Sequence, residues 1–150
     1  MSTVTSLGAA ARLIRESSAE SGTPRTIVGI VGPPAAGKTT IAEKLVQLLG
    51  PRSATLSMDG FHLPKRTLVK LGKRDRMGAP DTFDVDGFVS LLIQLSGNPG
   101  TTALAPGFDR TVEEPIPDAI TLGPELSTIV VEGNYLLHDS GGWERVAPLI

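Results

Sequence analysis

The sequence contains no cysteine, which excludes disulfide bridges, thiolate zinc sites, iron–sulfur clusters and a cysteine nucleophile. Aromatic residues make up only 4 % of the chain, too few for the base-stacking surfaces of single-strand binders. The formal net charge is −2, so the positive charge that nucleic-acid binding requires is also lacking. No stretch approaches about 18 apolar residues, and residues 1–24 carry no apolar run of signal-peptide type. We therefore expect a cytoplasmic protein with no nucleic-acid partner and no membrane partner.

Length and composition predict an ordinary globular domain. Hydrophobic residues are 40 % of the 150 residues and charged residues are 20 %, which is enough apolar material for a core. Apolar residues between Leu7 and Ile14 recur at helical spacing, so we predict a short amphipathic helix and then a linker over residues 17–24. This segment either docks a partner, lies on the domain or forms a partly disordered arm. The domain itself is expected to span residues 25–150.

Predicted strands and helices alternate along the rest of the chain. The predicted strands are Thr26–Val31, 54–58, 101–105, 120–122 and 128–131, and the predicted helices are Lys38–Leu49, 65–71, 85–95 and one that begins at Trp143. Residues 72–83 and 106–117 are predicted to be loops. Asp84 is placed to cap the helix over residues 85–95, with Phe83 and Phe88 at the positions of a hydrophobic staple.

This alternation predicts parallel βαβ units, in which ligands bind beyond the carboxyl ends of the strands. The residues that follow the predicted strands are therefore the first candidates for a site. They are Gly32, Asp59, Pro106 and Glu132.

Residues 32–39, Gly-Pro-Pro-Ala-Ala-Gly-Lys-Thr, match the phosphate-loop pattern G-x-x-x-x-G-K-[ST] between a strand and a helix. In such a loop, backbone N–H groups and the helix N-terminus bind phosphates, Lys38 reaches the β- and γ-phosphates, and the Thr39 hydroxyl suits Mg²⁺. The predicted cofactor-binding residues are Gly32, Ala35, Ala36, Gly37, Lys38, Thr39 and Thr40.

A nucleoside triphosphate site does not by itself separate a kinase from a GTPase, a motor or a transport ATPase. The sequence has no N-K-x-D guanine-reading element. Residues 128–132 come close to the apolar run and carboxylate of motor and transport ATPases. Asp59, after the second strand, stands where a base for an acceptor hydroxyl is needed, although Asp-Gly is also a common turn. His62 alone is more often a loop histidine than a ligand.

Five segments follow one another in an order that resembles a known family. They are the phosphate loop and residues 59–62, 78–84, 105–110 and 132–136. Together they resemble the uridine kinase, phosphoribulokinase and pantothenate kinase group of P-loop kinases, and most of all its bacterial nucleoside/nucleotide kinase-like branch, often labelled fructose or pantothenate kinase-like. The resemblance extends over residues 27–149.

The resemblance implies a P-loop NTPase fold, a three-layer α/β/α sandwich with a mainly parallel sheet. It also implies transfer of the γ-phosphoryl group from Mg-ATP to a hydroxyl of a sugar, nucleoside or pantothenate-like acceptor. Asp59, Lys38 and Arg110 would be catalytic, with Asp59 a general base or an orienter of the hydroxyl. The implied metal-binding residues are Thr39, Asp59 and Glu132, and the implied acceptor-binding residues are His62, Arg76, Arg110, Asn134 and Tyr135. Asp84 also matches the family's motif, but we prefer its capping role to a contact with the substrate.

Residues 65–76 contain six basic residues and one acidic residue, a local charge of +5. This segment is either an electropositive flank that attracts anionic ligands or a solvated helix face.

The family continues beyond residue 150 with further strands, an arginine-bearing lid and a segment that covers the adenine. We therefore expect a sheet that is incomplete at its C-terminal end, with an exposed edge that a homodimer would cover. A non-catalytic or weakly hydrolytic nucleotide-binding fragment of such a kinase, and an NTPase that drives conformational work, remain alternatives.

Overall fold

The computed structural model describes residues 5–150, which form four α-helices and five β-strands. The helices are α1 (Leu7–Ser21), α2 (Lys38–Leu49), α3 (Lys65–Lys70) and α4 (Val85–Gly97). The strands are β1 (Thr26–Val31), β2 (Ser53–Ser57), β3 (Ala103–Asp109), β4 (Glu114–Leu122) and β5 (Thr128–Gly133). Short 3₁₀ turns occur at Met58–Phe61, Arg74–Arg76, Pro80–Thr82, Trp143–Arg145 and Ala147–Leu149. Within this described part of the chain, no helix is both long enough and apolar enough to cross a bilayer.

A parallel sheet with the strand order β1-β5-β2 forms the centre of the molecule. All six residues of β5 are buried, because this strand has a neighbour on each side and is covered on both faces. Val130 packs with Ala42 and Leu45 of α2 on one face. Its neighbours Ile129 and Val131 belong to the large apolar cluster on the other face, where α4 packs. The predicted α/β fold with helices on both faces of a mainly parallel sheet is confirmed.

A β-hairpin replaces the loop that the sequence predicted over residues 106–117. Strands β3 and β4 pair antiparallel as a separate two-stranded sheet, with Phe108 opposite Pro115 and a register irregularity between Ala105 and Gly107. The prediction was wrong because Pro106, Pro115 and Pro117 indicate breaks in a strand. A two-stranded sheet has a free edge on both strands, so prolines can sit there without removing a ladder hydrogen bond.

The N-terminal helix is longer than predicted and lies on the domain. It runs to Ser21 and ends at Gly22, which has a left-handed φ of +64°, so the predicted linker is wrong over its first five residues. Ala11 is 2 % exposed and packs with Ala42 and Leu45 of α2. Helical spacing predicts an apolar face on α2 made of Ile41, Leu45, Leu48 and Leu49. This prediction is partly wrong, because Ile41 and Leu48 are 38 % and 46 % exposed, whereas the small Ala42 is buried against α1.

Trp143 closes the core on the α4 side of the sheet. Phe83 and Phe88, the two predicted staple residues, both approach its ring, with centroid separations of 5.7 and 5.8 Å. The predicted cap is confirmed, since Gly87 N–H donates to Asp84 Oδ1 at 2.9 Å. The helix predicted to begin at Trp143 is instead two 3₁₀ turns, the second of which contains Pro148.

A buried arginine joins helix α4 to the loops on either side of the hairpin, at the amino end of the parallel sheet, opposite the cleft. Arg25 is 5 % exposed and donates to the carbonyl oxygens of Leu126, Leu95, Pro99 and Gly123 at 2.9, 3.2, 3.2 and 2.8 Å. Burial lowers the pKa of the Arg25 guanidinium, and the Glu125 carboxylate acts in the opposite direction. The planar fork of donors makes four bonds that no other side chain reproduces.

We expect Arg25→Lys to lower the free energy of unfolding by about 2–4 kcal/mol, because one ammonium group leaves several buried carbonyls unpaired. Urea unfolding followed by circular dichroism measures this loss. Arg12→Lys, on the exposed side of α1, is the matched control and should change stability little. Equal stability of the two variants would show that the four bonds contribute nothing net.

Candidate active site

A cleft of about 760 Å³ opens at the carboxyl end of the parallel sheet. Its walls come from the phosphate loop, the turn after β2, the segment between α3 and α4, the hairpin and the end of β5. The lining residues are Pro34, Ala35, Ala36, Gly37, Lys38, Thr39, Thr40, Asp59, His62, Arg74, Asp75, Met77, Gly78, Phe83, Phe108, Arg110, Glu113, Glu132, Gly133 and Asn134. Six of the seven predicted cofactor-binding residues are among them, and Gly32 lies just outside, at the end of β1.

The phosphate loop has the backbone shape of an anion-binding concavity. Ala35 and Gly37 have left-handed φ values of +59° and +82°, which turn successive N–H groups toward one side of the loop. Helix α2 begins at Lys38, so its positive end faces the same space. The Lys38 ammonium donates to the Pro33 carbonyl oxygen at 2.8 Å and so lies folded over the loop.

Glu132 places a carboxylate beside the phosphate loop. It lies on the central strand β5, in register with Ile30 of β1 and Ser57 of β2, and is 4 % exposed. The Thr39 hydroxyl donates to Glu132 Oε1 at 3.4 Å. Two of the three predicted metal-binding residues are therefore in contact, and the third, Asp59, lines the same cleft.

Asp59 and Arg110, both predicted to be catalytic, form an ion pair. The distance from Arg110 Nη2 to Asp59 Oδ2 is 2.9 Å, and the two side chains are 65 % and 28 % exposed. Asp59 is held in the turn after β2, where its N–H donates to Ser57 Oγ at 3.2 Å. Arg110 follows β3, so the pair joins the sheet to the hairpin.

Gly60 permits this approach of the hairpin. It does not adopt a positive φ, so a turn conformation does not explain the glycine. A Cβ atom at Gly60 would overlap the carbonyl oxygen of Pro106 and lie 2.8 Å from its carbonyl carbon. Close packing against β3 thus requires the glycine of this Asp-Gly pair, and a common turn does not explain it.

His62 belongs to an aromatic wall of the cleft. Its ring stacks on Phe108 with a centroid separation of 4.7 Å and lies 4.1 Å from the ring of Phe83. The Nδ1 atom lies 2.8 Å from the Asp59 carbonyl oxygen, which can only accept, so Nδ1 carries the hydrogen. His62 is therefore held in one orientation by the turn that carries Asp59.

Of the remaining acceptor-binding predictions, Asn134 lines the cleft and two others do not. Arg76 makes a two-point ion pair with Asp81, at 3.2 and 2.9 Å. Hydrogen bonds from Arg76 and then Lys73 lower the pKa of Asp81. The Tyr135 hydroxyl donates to the Gly78 carbonyl at 2.7 Å. Both side chains brace the segment that forms one wall, rather than facing the cleft.

The sequence analysis missed several lining residues, notably Arg74, Asp75, Phe108 and Glu113. Phe108 was missed because residues 106–117 were predicted to be a loop, so the alternation of side chains along β3 was not applied to it. Arg74 belongs to the basic segment over residues 65–76, but nothing local distinguishes it from Arg76. The difference is set by Asp81, which lies five positions after Arg76 and binds it.

The fold and the loop define a P-loop nucleotide-binding protein, and comparison with known proteins specifies the class. No family model matches the chain. The solved structure of a protein described as a "putative fructose transport system kinase" from Silicibacter sp. TM1040 is 35 % identical, with a TM-score of 0.89 over 97 % of this chain and 71 % of that one.

Two curated relatives agree with this comparison. "Putative uridine kinase C227.14" of Schizosaccharomyces pombe is 30 % identical over 134 residues, which are 83 % of this chain and 57 % of that protein. The pantothenate kinase of Streptomyces coelicolor is 29 % identical over 136 residues, 87 % of this chain and 41 % of that enzyme. The chain thus spans about half the length of the curated relatives it matches. It belongs to the uridine kinase and pantothenate kinase group of P-loop kinases.

We expect Gly60→Ala to lower the free energy of unfolding by about 1–3 kcal/mol, because the new methyl group must push β3 away from the turn that carries Asp59. Chemical unfolding gives the value. Gly97→Ala is the matched control, since a Cβ atom there meets nothing within 4 Å. If the two variants prove equally stable, the close approach of Pro106 is not a packing constraint.

Proposed function

We propose that the chain carries the nucleotide and acceptor sites of an ATP-dependent small-molecule kinase. It would transfer the γ-phosphoryl group of ATP to a hydroxyl of a sugar, nucleoside or pantothenate-like acceptor. The observation that carries this proposal is the shared cleft, in which the phosphate loop faces the Asp59–Arg110 pair. The names of the relatives support the class of reaction, and this geometry supports the roles proposed below.

The nucleotide half of the reaction rests on the phosphate loop. Its N–H groups and the N-terminus of α2 would bind phosphate oxygens, and the Lys38 ammonium would leave the Pro33 carbonyl for the β- and γ-phosphates. Because phosphoryl transfer depends on positioning and charge neutralisation, these contacts account for much of the expected rate enhancement.

The acceptor half rests on Asp59. Arg110 occupies Oδ2, and Oδ1 accepts no hydrogen bond from any residue between 5 and 150. Oδ1 would accept the hydrogen bond of the acceptor hydroxyl and then its proton. The hydroxyl oxygen forms a bond to the γ-phosphorus, and the bond from that phosphorus to the bridging oxygen breaks to release ADP. Arg110, next to the reacting groups, would neutralise charge on the transferred phosphoryl group.

The residues present fit Mg²⁺, the metal that this family implies. The Thr39 hydroxyl and the buried Glu132 carboxylate are in contact and are the oxygen ligands that Mg²⁺ prefers. The described residues hold no cluster of three or more acidic or histidine side chains, so bound Mg²⁺ would keep water and phosphate oxygens as further ligands. When bound, the metal would neutralise charge on the phosphates. Asp59 would contribute through water.

We expect Asp59→Asn to lower the rate of acceptor-stimulated ADP release by about 100-fold or more, because the amide cannot take the hydroxyl proton. The affinity for ATP should change little. Initial rates with Mg-ATP and a panel of sugars, nucleosides and pantothenate measure this loss. Asp118→Asn, in the exposed part of β4, is the control. Parallel loss of ATP binding would mean that Asp59 is structural. ADP release that no acceptor stimulates would favour a weakly hydrolytic nucleotide-binding protein instead.

We expect Lys38→Met to weaken ATP binding by about tenfold or more, because the ammonium is the mobile positive charge of the loop. Titration with a fluorescent ATP analogue measures the dissociation constant. Lys44→Met, on the exposed side of the same helix, should bind ATP as the unmodified chain does. Equal affinities in the two variants would argue against a nucleotide at this loop.

A further inference from the structure

Three basic residues stand close together in the segment that forms one wall of the cleft, and one acidic residue pairs with two of them. Asp81 binds Lys73 at 3.2 Å and binds Arg76 through both carboxylate oxygens. These pairs hold the side chains of Lys73 and Arg76 in place and brace the 3₁₀ turn Arg74–Arg76, although the single Asp81 carboxylate balances only one of the two positive charges. Arg74 is the third basic residue of this group, and Asp81 does not pair with it.

Arg74 is exposed and lines the cleft. Within residues 5–150 it has no carboxylate within 4.0 Å, and its hydrogen-bond partner is the Met77 sulfur at 3.8 Å, a weak acceptor. The other two cations that line the cleft are already assigned, since Lys38 belongs to the phosphate loop and Arg110 is paired with Asp59. Among the described residues, Arg74 is thus a positive charge without a carboxylate partner.

Hydrogen bonds anchor the backbone of the segment that carries Arg74, so the position of this residue in the cleft wall is fixed. The Tyr135 hydroxyl donates to the Gly78 carbonyl at 2.7 Å, and the Trp143 indole donates to the Pro80 carbonyl at 3.0 Å. Both anchors come from the chain that follows β5. Residues 62 and 83 also form an isolated bridge, which connects this segment to the wall that carries His62.

None of the carboxylates that line the cleft forms an ion pair with Arg74 in the described part of the chain. Glu132 is bonded to Thr39, Asp59 is paired with Arg110, and Glu113 lies 3.9 Å from the Lys65 ammonium. Asp75 lines the cleft and makes no ion pair within the described residues. Its oxygens are free to accept hydrogen bonds from hydroxyl groups.

We propose that the phosphoryl acceptor carries an anionic group, a carboxylate or a phosphate monoester, and that Arg74 binds this group. A planar guanidinium recognises either anion through two parallel hydrogen bonds, whereas it offers a neutral sugar or nucleoside little. Asp75 would accept hydrogen bonds from further hydroxyls of the same molecule. This inference rests on the proposed kinase function, because it assigns the substrate class of that site.

The first arm of the test measures ADP formation with Mg-ATP and six acceptors. Three are anionic (D-glycerate, pantothenate and ribose 5-phosphate), and three are neutral (glycerol, fructose and uridine). We expect an anionic acceptor to stimulate the unmodified chain. Arg74→Met should raise the KM for that acceptor about tenfold or more and leave the KM for ATP within about twofold. Arg66→Met, an exposed residue of the same basic segment outside the cleft, is the matched control.

Three results of this arm would overturn the proposal. Stimulation by neutral acceptors alone, unaffected in Arg74→Met, would leave the kinase function standing and remove the anionic acceptor. A higher KM for ATP in Arg74→Met would assign the arginine to the nucleotide. Equal effects of Arg66→Met and Arg74→Met would show a general positive field instead of a binding residue.

The second arm measures binding directly, so that it does not depend on turnover. Calorimetric titrations of the three anionic acceptors are made with the chain saturated with a non-hydrolysable ATP analogue and Mg²⁺. Binding that Arg74→Met abolishes and Arg66→Met retains supports the assignment, even if no acceptor is phosphorylated and the proposed kinase function fails. No binding of any anionic acceptor to the unmodified chain, or unchanged binding to Arg74→Met, overturns it.

Discussion

The central position of β5 is the constraint on which the rest of the structure depends. Because β5 lies between β1 and β2, its end brings Glu132 between the phosphate loop that follows β1 and the turn that follows β2. The strand can occupy this position only if every residue is apolar or satisfied, and all six are buried. Glu132 meets this condition through the Thr39 hydroxyl, which joins the middle of the sheet to the first turn of α2.

The elements on the proposed nucleotide side of the site could be predicted from the sequence because their signals are local. The bounds of β1 and α2 and the residues of the phosphate loop follow from one continuous stretch, in which an apolar strand, a glycine-rich turn and an amphipathic pattern stand in order. Asp59 could be located for the same reason, since it lies two residues after the end of β2. The register of the sheet could not be predicted, because β5 pairs with two strands that lie far from it in the sequence.

The proposed acceptor side depends on contacts that local patterns do not reveal. The prolines of β3 and β4 made the hairpin read as a loop in the sequence. The close approach of Pro106 to Gly60 brings the end of β3, and with it Arg110, next to Asp59. In the basic segment, the sequence analysis named Arg76, but Asp81 holds that residue and leaves Arg74 in the cleft. One carboxylate, that of Asp81, determines which of these two arginines lines the cleft. Sequence spacing alone does not predict this outcome.

These two sides differ in how they are built, and the difference bears on how such a site can change its acceptor. The phosphate loop, α2 and Glu132 form one unit with the sheet, so a substitution there disturbs the core or the nucleotide site. The acceptor wall consists of separate segments, the hairpin and the braced turn with Arg74, which reach the cleft through a few polar contacts. Substitutions on their exposed positions leave the core intact. If the proposed acceptor site is correct, the same sheet can support acceptor sites of different charge, with specificity determined by segments that contribute little to its stability.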